Sequence, residues 1–454
     1  MQRAPSTGTR FRIFPQAPFL HPELLPEIVA VSKPPGSIGP GPADDRIYVI
    51  DPIGKGAPYG LMPELGPTVL YLPPWSGAIR PPALPGPDGH FDHLPVGTPD
   101  FALAHLYGTT RFVMDVWERY LGGTIPWHFQ RHFRRLEITI LPTLDNARAG
   151  YGYMEVGEHP NDDGSIVPYA LNFDVIAHEL GHLIIYGTIG VPNLATGQGE
   201  YFGFHESAAD MTALIASLHF ASMVDRLLDE TRGNLYALNE LNRFAELSTS
   251  DQIRLASNSA TLSQFAAGWD DEHDLSQPLT GALFDTLVDI FQELLVERGL
   301  IARAVADLSD LVEAYPAYLP AVQAAFDAAY PGRARAFRQA LFDARDYLGF
   351  ALAEVWKRLS PHFLTYAQVG DLLIAVDQAM SGGRYRAEIY ESFAWREIGS
   401  VRVGPRLKPP DEASHAVSVR ALMPAEPQPA RKLSYRERMM LASGVNPDLR
   451  RGLP

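Results

Sequence analysis

The chain has 454 residues and a mass of 50.0 kDa, with 46% hydrophobic and 20% charged residues, the balance of a soluble globular protein long enough for two or three domains. It contains no cysteine, which excludes disulfides, thiolate metal sites and a cysteine nucleophile, and leaves His, Asp and Glu as the available metal ligands. The net charge of -15 and pI of about 5.4 disfavour phosphate backbones and anionic membranes, so neither a nucleic-acid nor a membrane partner is expected.

Residues 1–98 are rich in proline and glycine, as in "SKPPGSIGPGPADD" and "RPPALPGPDGHFDHLP". The start of this segment is proline-broken and lacks the apolar core of a secretion signal, so a cytoplasmic location is expected. Its short apolar runs "RIYVID" and "TVLYLP" predict strands in an extended, partly irregular β segment that leans on the rest. From Asp100, "DFALAHLYGTTRFVMDVWERYLG" carries apolar residues at helical spacing and closes on a glycine pair. "LEITILP" and "GYGYMEVGE" read as strands, and "NFDVIAHELGHLIIYGTIG" as a helix ending at a glycine. "GFHESAADMTALIASLHFASMVDRLL" reads as one further helix.

After residue 280 helices dominate: "GALFDTLVDIFQELLVERG", "PAYLPAVQAAFDAAY", "ARAFRQALFDARDYLGFALAEVWKRLS", "TYAQVGDLLIAVDQAMSGG" and "YRAEIYESFAWREIG". The division expected is 1–98 as the Pro/Gly-rich segment, 99–190 with an edge strand and the HELGH helix, 191–399 helical, and 400–454 a flexible tail bearing proline and arginine.

The chemistry concentrates in "VIAHELGHLIIYG". On a helix, positions four apart lie nearly over one another, so His178 and His182 can aim two imidazoles at one point. Glu179 sits about 100° round, near a metal but displaced from it, where it can hold a water. A third ligand is required. The form with a glycine three residues on and a histidine three further fails at Ile185 and Thr188. "GFHESAAD" offers the other form. Glu206 would complete a His/His/Glu site, and Asp210, four residues on, would accept the free ring N–H of a metal-bound histidine. The competing reading is a solvated acid pair at a helix start, and the strongly apolar run after Glu206 argues against it.

With these blocks in hand, the chain resembles the thermolysin family of neutral zinc metallopeptidases, in the glutamate-zincin group. "IVPYALNFDVIAHELGH" is similar to the family's strand-to-helix segment, including Pro168 and Asp174 with Val175, and "HESAAD" to its block carrying the third ligand. "QIRLASNS", "EHDLSQPLTGALFDTL" and the segment from Arg345 to Met380 extend the resemblance over about residues 100–399. It implies an α+β fold of two lobes: a mixed α/β N-lobe with the active-site helix, and a mostly α-helical C-lobe.

The resemblance also implies roles. Zinc would lie on His178, His182 and Glu206, polarising a peptide carbonyl and activating a water, with Glu179 as general base. His273 would stabilise the oxyanion, oriented by Asp270 or Asp271, and Arg254 would bind the carbonyl on the leaving-group side. Asn146 and Ala147 would pair with the substrate backbone as an added strand. Ile166, Tyr169, Val175 and Ile253 would line the pocket for the residue after the cut, implying cleavage before hydrophobic residues.

Some positions depart from the family pattern. The interval from His182 to Glu206 is longer, and the expected tyrosine is not in its usual place; Tyr201 is the nearest candidate and Tyr186 a poorer one. Asp174 fits one calcium ligand, but Ser217 stands where a partner glutamate is expected, so the paired calcium site is expected to be missing. The function expected is a zinc endopeptidase acting on peptides or proteins. The alternatives are an exopeptidase of the same group and a zinc-binding scaffold with weakened catalysis. Metal analysis of the purified chain should find about one zinc per molecule.

Overall fold

Alternation along four short segments builds the sheet around which the N-terminal part is organised. The computed structural model describes residues 8–19, 24–61, 70–161, 164–193, 195–237, 243–244, 254–312 and 315–407. Strands β1 (Thr9–Ile13) and β2 (Glu27–Val31) pair antiparallel; β3 (Ile47–Ile50) and the hairpin strands β4 (Gly60–Leu61) and β5 (Leu70–Tyr71) follow. Helix α1 (Pro99–Leu121) precedes β6 (Leu136–Ile140), β7 (Ala147–Ala149), β8 (Tyr153–Val156), β9 (Glu158–Pro160) and β10 (Ile166–Pro168). One four-stranded sheet has the order β3-β6-β8-β7, parallel except for β7 at its edge. The segment 1–98 therefore does more than lean on its neighbours: "RIYVID" supplies an integral strand, and Phe11 and Ile13 are fully buried against α1.

The two faces of that sheet differ in chemistry. Ile47, Val49, Leu136, Ile138, Met154, Val156 and Ala147 form the apolar face. On the other face stand Tyr48, Glu137, Tyr153, Glu155 and Arg148, covered by Lys55, Tyr59, Tyr71 and Trp75. Lys55 reaches the buried Glu155 (Nζ–Oε1 2.7 Å) and lies over the ring of Tyr59 at 3.5 Å. Glu137 accepts from the hydroxyls of Tyr59 (2.6 Å) and Tyr48 (2.5 Å) and from the Trp75 backbone N–H. Buried carboxylates need such partners, because a bare charge out of water is far costlier than a paired one. Charge pairing holds this Pro/Gly-rich stretch, in which only the short apolar run "TVLYLP" predicted a strand.

Helix α1 starts at Thr98, whose side chain accepts from Phe101 N–H, and stops at Gly122 in the left-handed region (φ 71°). From its buried face, His105 Nε2 accepts the Phe14 backbone N–H (3.0 Å) and Nδ1 donates to Ala170 O (2.9 Å). One neutral imidazole thus joins the N-terminal segment, α1 and the turn that launches the next helix.

That helix, α2 (Phe173–Thr188), is capped by Asn172, which accepts from the N–H groups of Asp174 and Val175. The long helix expected next is two: α3 (Gly199–Ser217) and α4 (Ala221–Thr231), bent by 93°. Tight backbone bonds at His219 and Phe220 break it there, and Phe220 turns in to meet Phe112 and Phe173 at 5.0 Å each. After the short strands β11 (Arg243–Phe244) and β12 (Arg254–Leu255), α5 (Glu272–Glu297) begins nine residues before the expected start at Gly281. Asp271 caps it and Pro278 lies inside it; the proline masked the N-terminal turns in the sequence. Helices α6 (Arg303–Ser309), α7 (Leu319–Ala329), α8 (Ala334–Arg358), α9 (Tyr366–Ser381) and α10 (Arg386–Trp395) complete the fold, which is mixed α/β with close to half of the described residues helical.

Helix α3 packs between α2 and α5, and Trp117 of α1 meets Trp356 of α8 at 4.4 Å. Residues 401–407, expected as the start of the tail, run beside 265–269: Gly404 N–H donates to Phe265 O and Leu407 N–H to Trp269 O. Residues 408–454 lie outside the described set. Among the described residues no single helix is long and apolar enough to cross a membrane.

Full burial pushes His105 down from 6.5 to about 4, so the fold favours its neutral form. Its contribution is therefore complete above pH 6.5 and is lost as the pH falls toward 4, a change of up to roughly 3 kcal/mol. Urea midpoints measured between those two pH values should fall less steeply in His105→Gln than in the wild type.

Candidate metal centre

The centre starts from a close approach of backbones. A Cβ at Gly181 would lie 2.7 Å from Ala209 Cα and 3.0 Å from Thr212 Cβ, so only glycine lets α3 come this near to α2. The acids of α3 thereby reach the histidines of α2. Glu206 lies on the second turn of α3 and not at a helix start, because the helix begins at Gly199; Glu206 and Asp210 are both buried.

His178 Nε2 is 3.4 Å from Glu206 Oε2, and His182 Nε2 is 3.8 Å from Glu206 Oε1. Donors held at zinc-like bond lengths around one tetrahedral ion sit about 3.4 Å apart, so these separations fit a shared cation. The ligand atoms of His178, Glu179 and His182 also cluster within 4.8 Å of one another, which makes Glu179 a second carboxylate at the same point. Glu206 is the better ligand, since its two oxygens face both Nε2 atoms. Asp210 Oδ1 lies 3.0 Å from His178 Nδ1 and its Oδ2 accepts from Thr280 Oγ1. With its Nδ1 proton given to Asp210, neutral His178 turns a lone pair toward a carboxylate oxygen. Only a cation or a proton between them relieves that opposition, so the donor set suits a divalent metal.

His273, the second residue of α5, joins the same carboxylate: its Nδ1 is 2.9 Å from Glu206 Oε2 and its side chain is 43% exposed. Burial alone would raise Glu206, yet the nearness of His273, His182 and His178 holds it well below the usual carboxylate range. Asp271 accepts the His273 backbone N–H as the helix cap.

Other expected residues fall differently. Tyr201 is buried, its ring lies against His205 (centroids 5.7 Å), and its hydroxyl donates to Gly190 O (3.1 Å) in the loop between α2 and α3. Tyr186, one turn past His182, is buried with Glu206, Glu179 and Glu272 among its electrostatic neighbours; desolvation first, and then Glu206, pushes its phenol up. Ile253 lies outside the described residues, and Arg254 is placed by its backbone in β12, opposite Phe244. Ile166 is 48% exposed, whereas Tyr169 and Val175 are buried, and Tyr169 donates to Asp145. Ser217 Oγ bonds to Leu214 O within its own helix.

The edge strand β7 runs beside α2. Asn146 O accepts Gly157 N–H and Gly150 N–H donates to Tyr153 O, so the backbone groups of 146, 148 and 150 face β8 and those of 147 and 149 face outward. The side chain of Asn146 accepts Ala147 N–H, and among the described residues no strand pairs with that outer edge. Arg148, on the polar face of the sheet, has Glu179 as an electrostatic neighbour.

One residue of the centre carried no signal in the reading of the motifs. His205 Nδ1 lies 2.7 Å from His182 Nδ1. The rings are nearly parallel, inclined by only 10° with centroids 4.8 Å apart, and the nitrogen separation is that of a hydrogen bond, shorter than the spacing of two stacked rings. Burial lowers His205 to about 4, and the ring is neutral. Its place beside Glu206 in "FHESAAD" was visible; its partner on another helix was not.

No family model and no curated protein matches the chain. Among solved structures it is similar to a precursor of protealysin, a metalloproteinase from Serratia proteamaculans, with 9% identity, a TM-score of 0.43, and coverage of 78% of this chain and 88% of that one. The assignment of the centre rests on its own geometry. Gly181→Val should drive α2 and α3 apart, lowering the melting temperature by the equivalent of about 1–3 kcal/mol and weakening metal uptake; an unchanged melting temperature would contradict the close crossing.

Proposed function

We propose that the protein is a zinc-dependent peptidase cutting inside peptide chains before hydrophobic residues. The observation that carries this is the meeting of both Nε2 atoms with the two oxygens of Glu206, with a second carboxylate, Glu179, in the same cluster. His178, His182 and Glu206 would hold the metal. When bound, such an ion polarises a carbonyl and makes a water acidic enough to lose a proton near neutral pH.

The chain's own groups do the rest. Glu179 takes the proton from the water and delivers it to the departing amine, a role open to a carboxylate beside the ligands but not needed as one. His273, whose Nδ1 lies 2.9 Å from Glu206 Oε2, would in its protonated form offer Nε2–H to the oxygen that gains charge. Of the two tyrosines, Tyr186 is the better supported second donor, because it neighbours the carboxylates while Tyr201 is committed to Gly190. The outward C=O of Ala147 and N–H of Ala149 suit an extended substrate laid on β7, a mode that favours internal segments over chain ends. Val175 and Tyr169 are proposed to line the pocket for the residue after the cut, and Arg254 to bind the carbonyl on the leaving-group side.

Glu179→Gln should keep one zinc per chain and lose peptide hydrolysis; retained hydrolysis would remove Glu179 as the base. His273→Phe should lower turnover about 10²–10³-fold with zinc intact, while an unchanged rate would return His273 to a structural role at Glu206. A peptide blocked at its N-terminus should be cut as readily as the free form, and failure there would favour an exopeptidase.

A further inference from the structure

The two histidines of the centre do not have the same kind of partner. His178 is backed by the carboxylate of Asp210 at 3.0 Å, whereas His182 is backed by another imidazole, His205, at 2.7 Å. Between two ring nitrogens that close a proton must lie. Placed on His182 it leaves the Nε2 atom, which faces Glu206 Oε1, with a free electron pair; placed on His205 it forces a proton onto Nε2 of a neutral His182 and blocks it as a ligand.

His205 has little else to do. It is 3% exposed, its Nε2 is buried without a hydrogen-bond partner, and Tyr186 (4.3 Å) and Tyr201 (5.7 Å) pack on its ring. Burying an imidazole with one nitrogen unsatisfied is unfavourable, and an apolar ring would fill the same space without that penalty. The bond to His182 is what a phenylalanine could not provide. Charge gives a second reason for a neutral partner: Glu206 and Asp210 already balance a divalent cation, Glu179 stands beside them, and a fourth carboxylate behind His182 would leave the pocket over-negative.

We propose that His205 is the positioning residue of the second metal ligand, its Nδ1 accepting the Nδ1 proton of His182 and so holding Nε2 as the donor atom. This rests on the zinc reading above. The test is zinc affinity, measured by competition with a chromophoric chelator, for wild type, His205→Phe and His205→Asn, with melting temperatures of the zinc-free forms. An asparagine amide oxygen sits as many bonds from Cβ as Nδ1 does and can accept in its place. His205→Phe is expected to bind zinc about 10–100-fold more weakly while His205→Asn stays close to wild type. Equal affinity in His205→Phe overturns the assignment.

Should His205→Phe fail to fold, nitrogen NMR of the zinc-bound wild type decides: a proton on His182 Nδ1 supports the assignment, and its absence overturns it. A wild-type chain that takes up no zinc overturns the peptidase reading and this inference together. Zinc uptake indifferent to residue 205 overturns this inference alone.

Discussion

Helices α2 and α3 cross with backbone against backbone at Gly181, and this contact sets the distance at which everything in the centre operates. A methyl group there would collide with Ala209, so the carboxylates of Glu206 and Asp210 reach the imidazoles of His178 and His182 only because position 181 has no side chain. Glycine inside a helix normally costs about 1 kcal/mol in propensity. Here the burial of α3 between α2 and α5 outweighs that cost, since the flanking positions of both helices are almost wholly buried.

A second theme is the use of buried polar groups to fix segments that apolar packing cannot fix. Lys55 and Glu155, with Glu137 and its tyrosine donors, bind the irregular stretches 51–61 and 70–80 to one face of the sheet. His105 links three segments through one tautomer. Arg396, fully buried, meets Asp285 at 2.7 Å and carbonyl oxygens of the loop before α5. Each of these groups is directional, so each specifies a geometry that oily contacts alone would leave loose.

The candidate metal centre extends the same logic. His178 and His182 have one polar partner each behind the ring, and each partner comes from α3. His273 arrives from α5 to share Glu206. Three helices therefore converge on one carboxylate, and the order of the centre depends on their packing rather than on any single loop.

Much of this was legible beforehand, and for a definite reason. Helical periodicity places His178 and His182 on one face whatever surrounds them, and the spacing of Glu206 from Asp210 does the same on the next helix, so local backbone geometry alone supplied the paired donors. The strands "RIYVID", "LEITILP" and "GYGYMEVGE" were likewise set by alternation. The break after Ser217, the early start of α5 behind Pro278, the bond from His205 to His182, and the engagement of Tyr201 with Gly190 were not. All four join residues distant in sequence or override a local preference, and no pattern along one segment can state which side chain of another it will meet. Local spacing settles which imidazoles and carboxylates share a helical face; packing alone chooses which partners stand behind them, because hydrogen-bond partners across helices follow from packing distance and not from spacing along the chain.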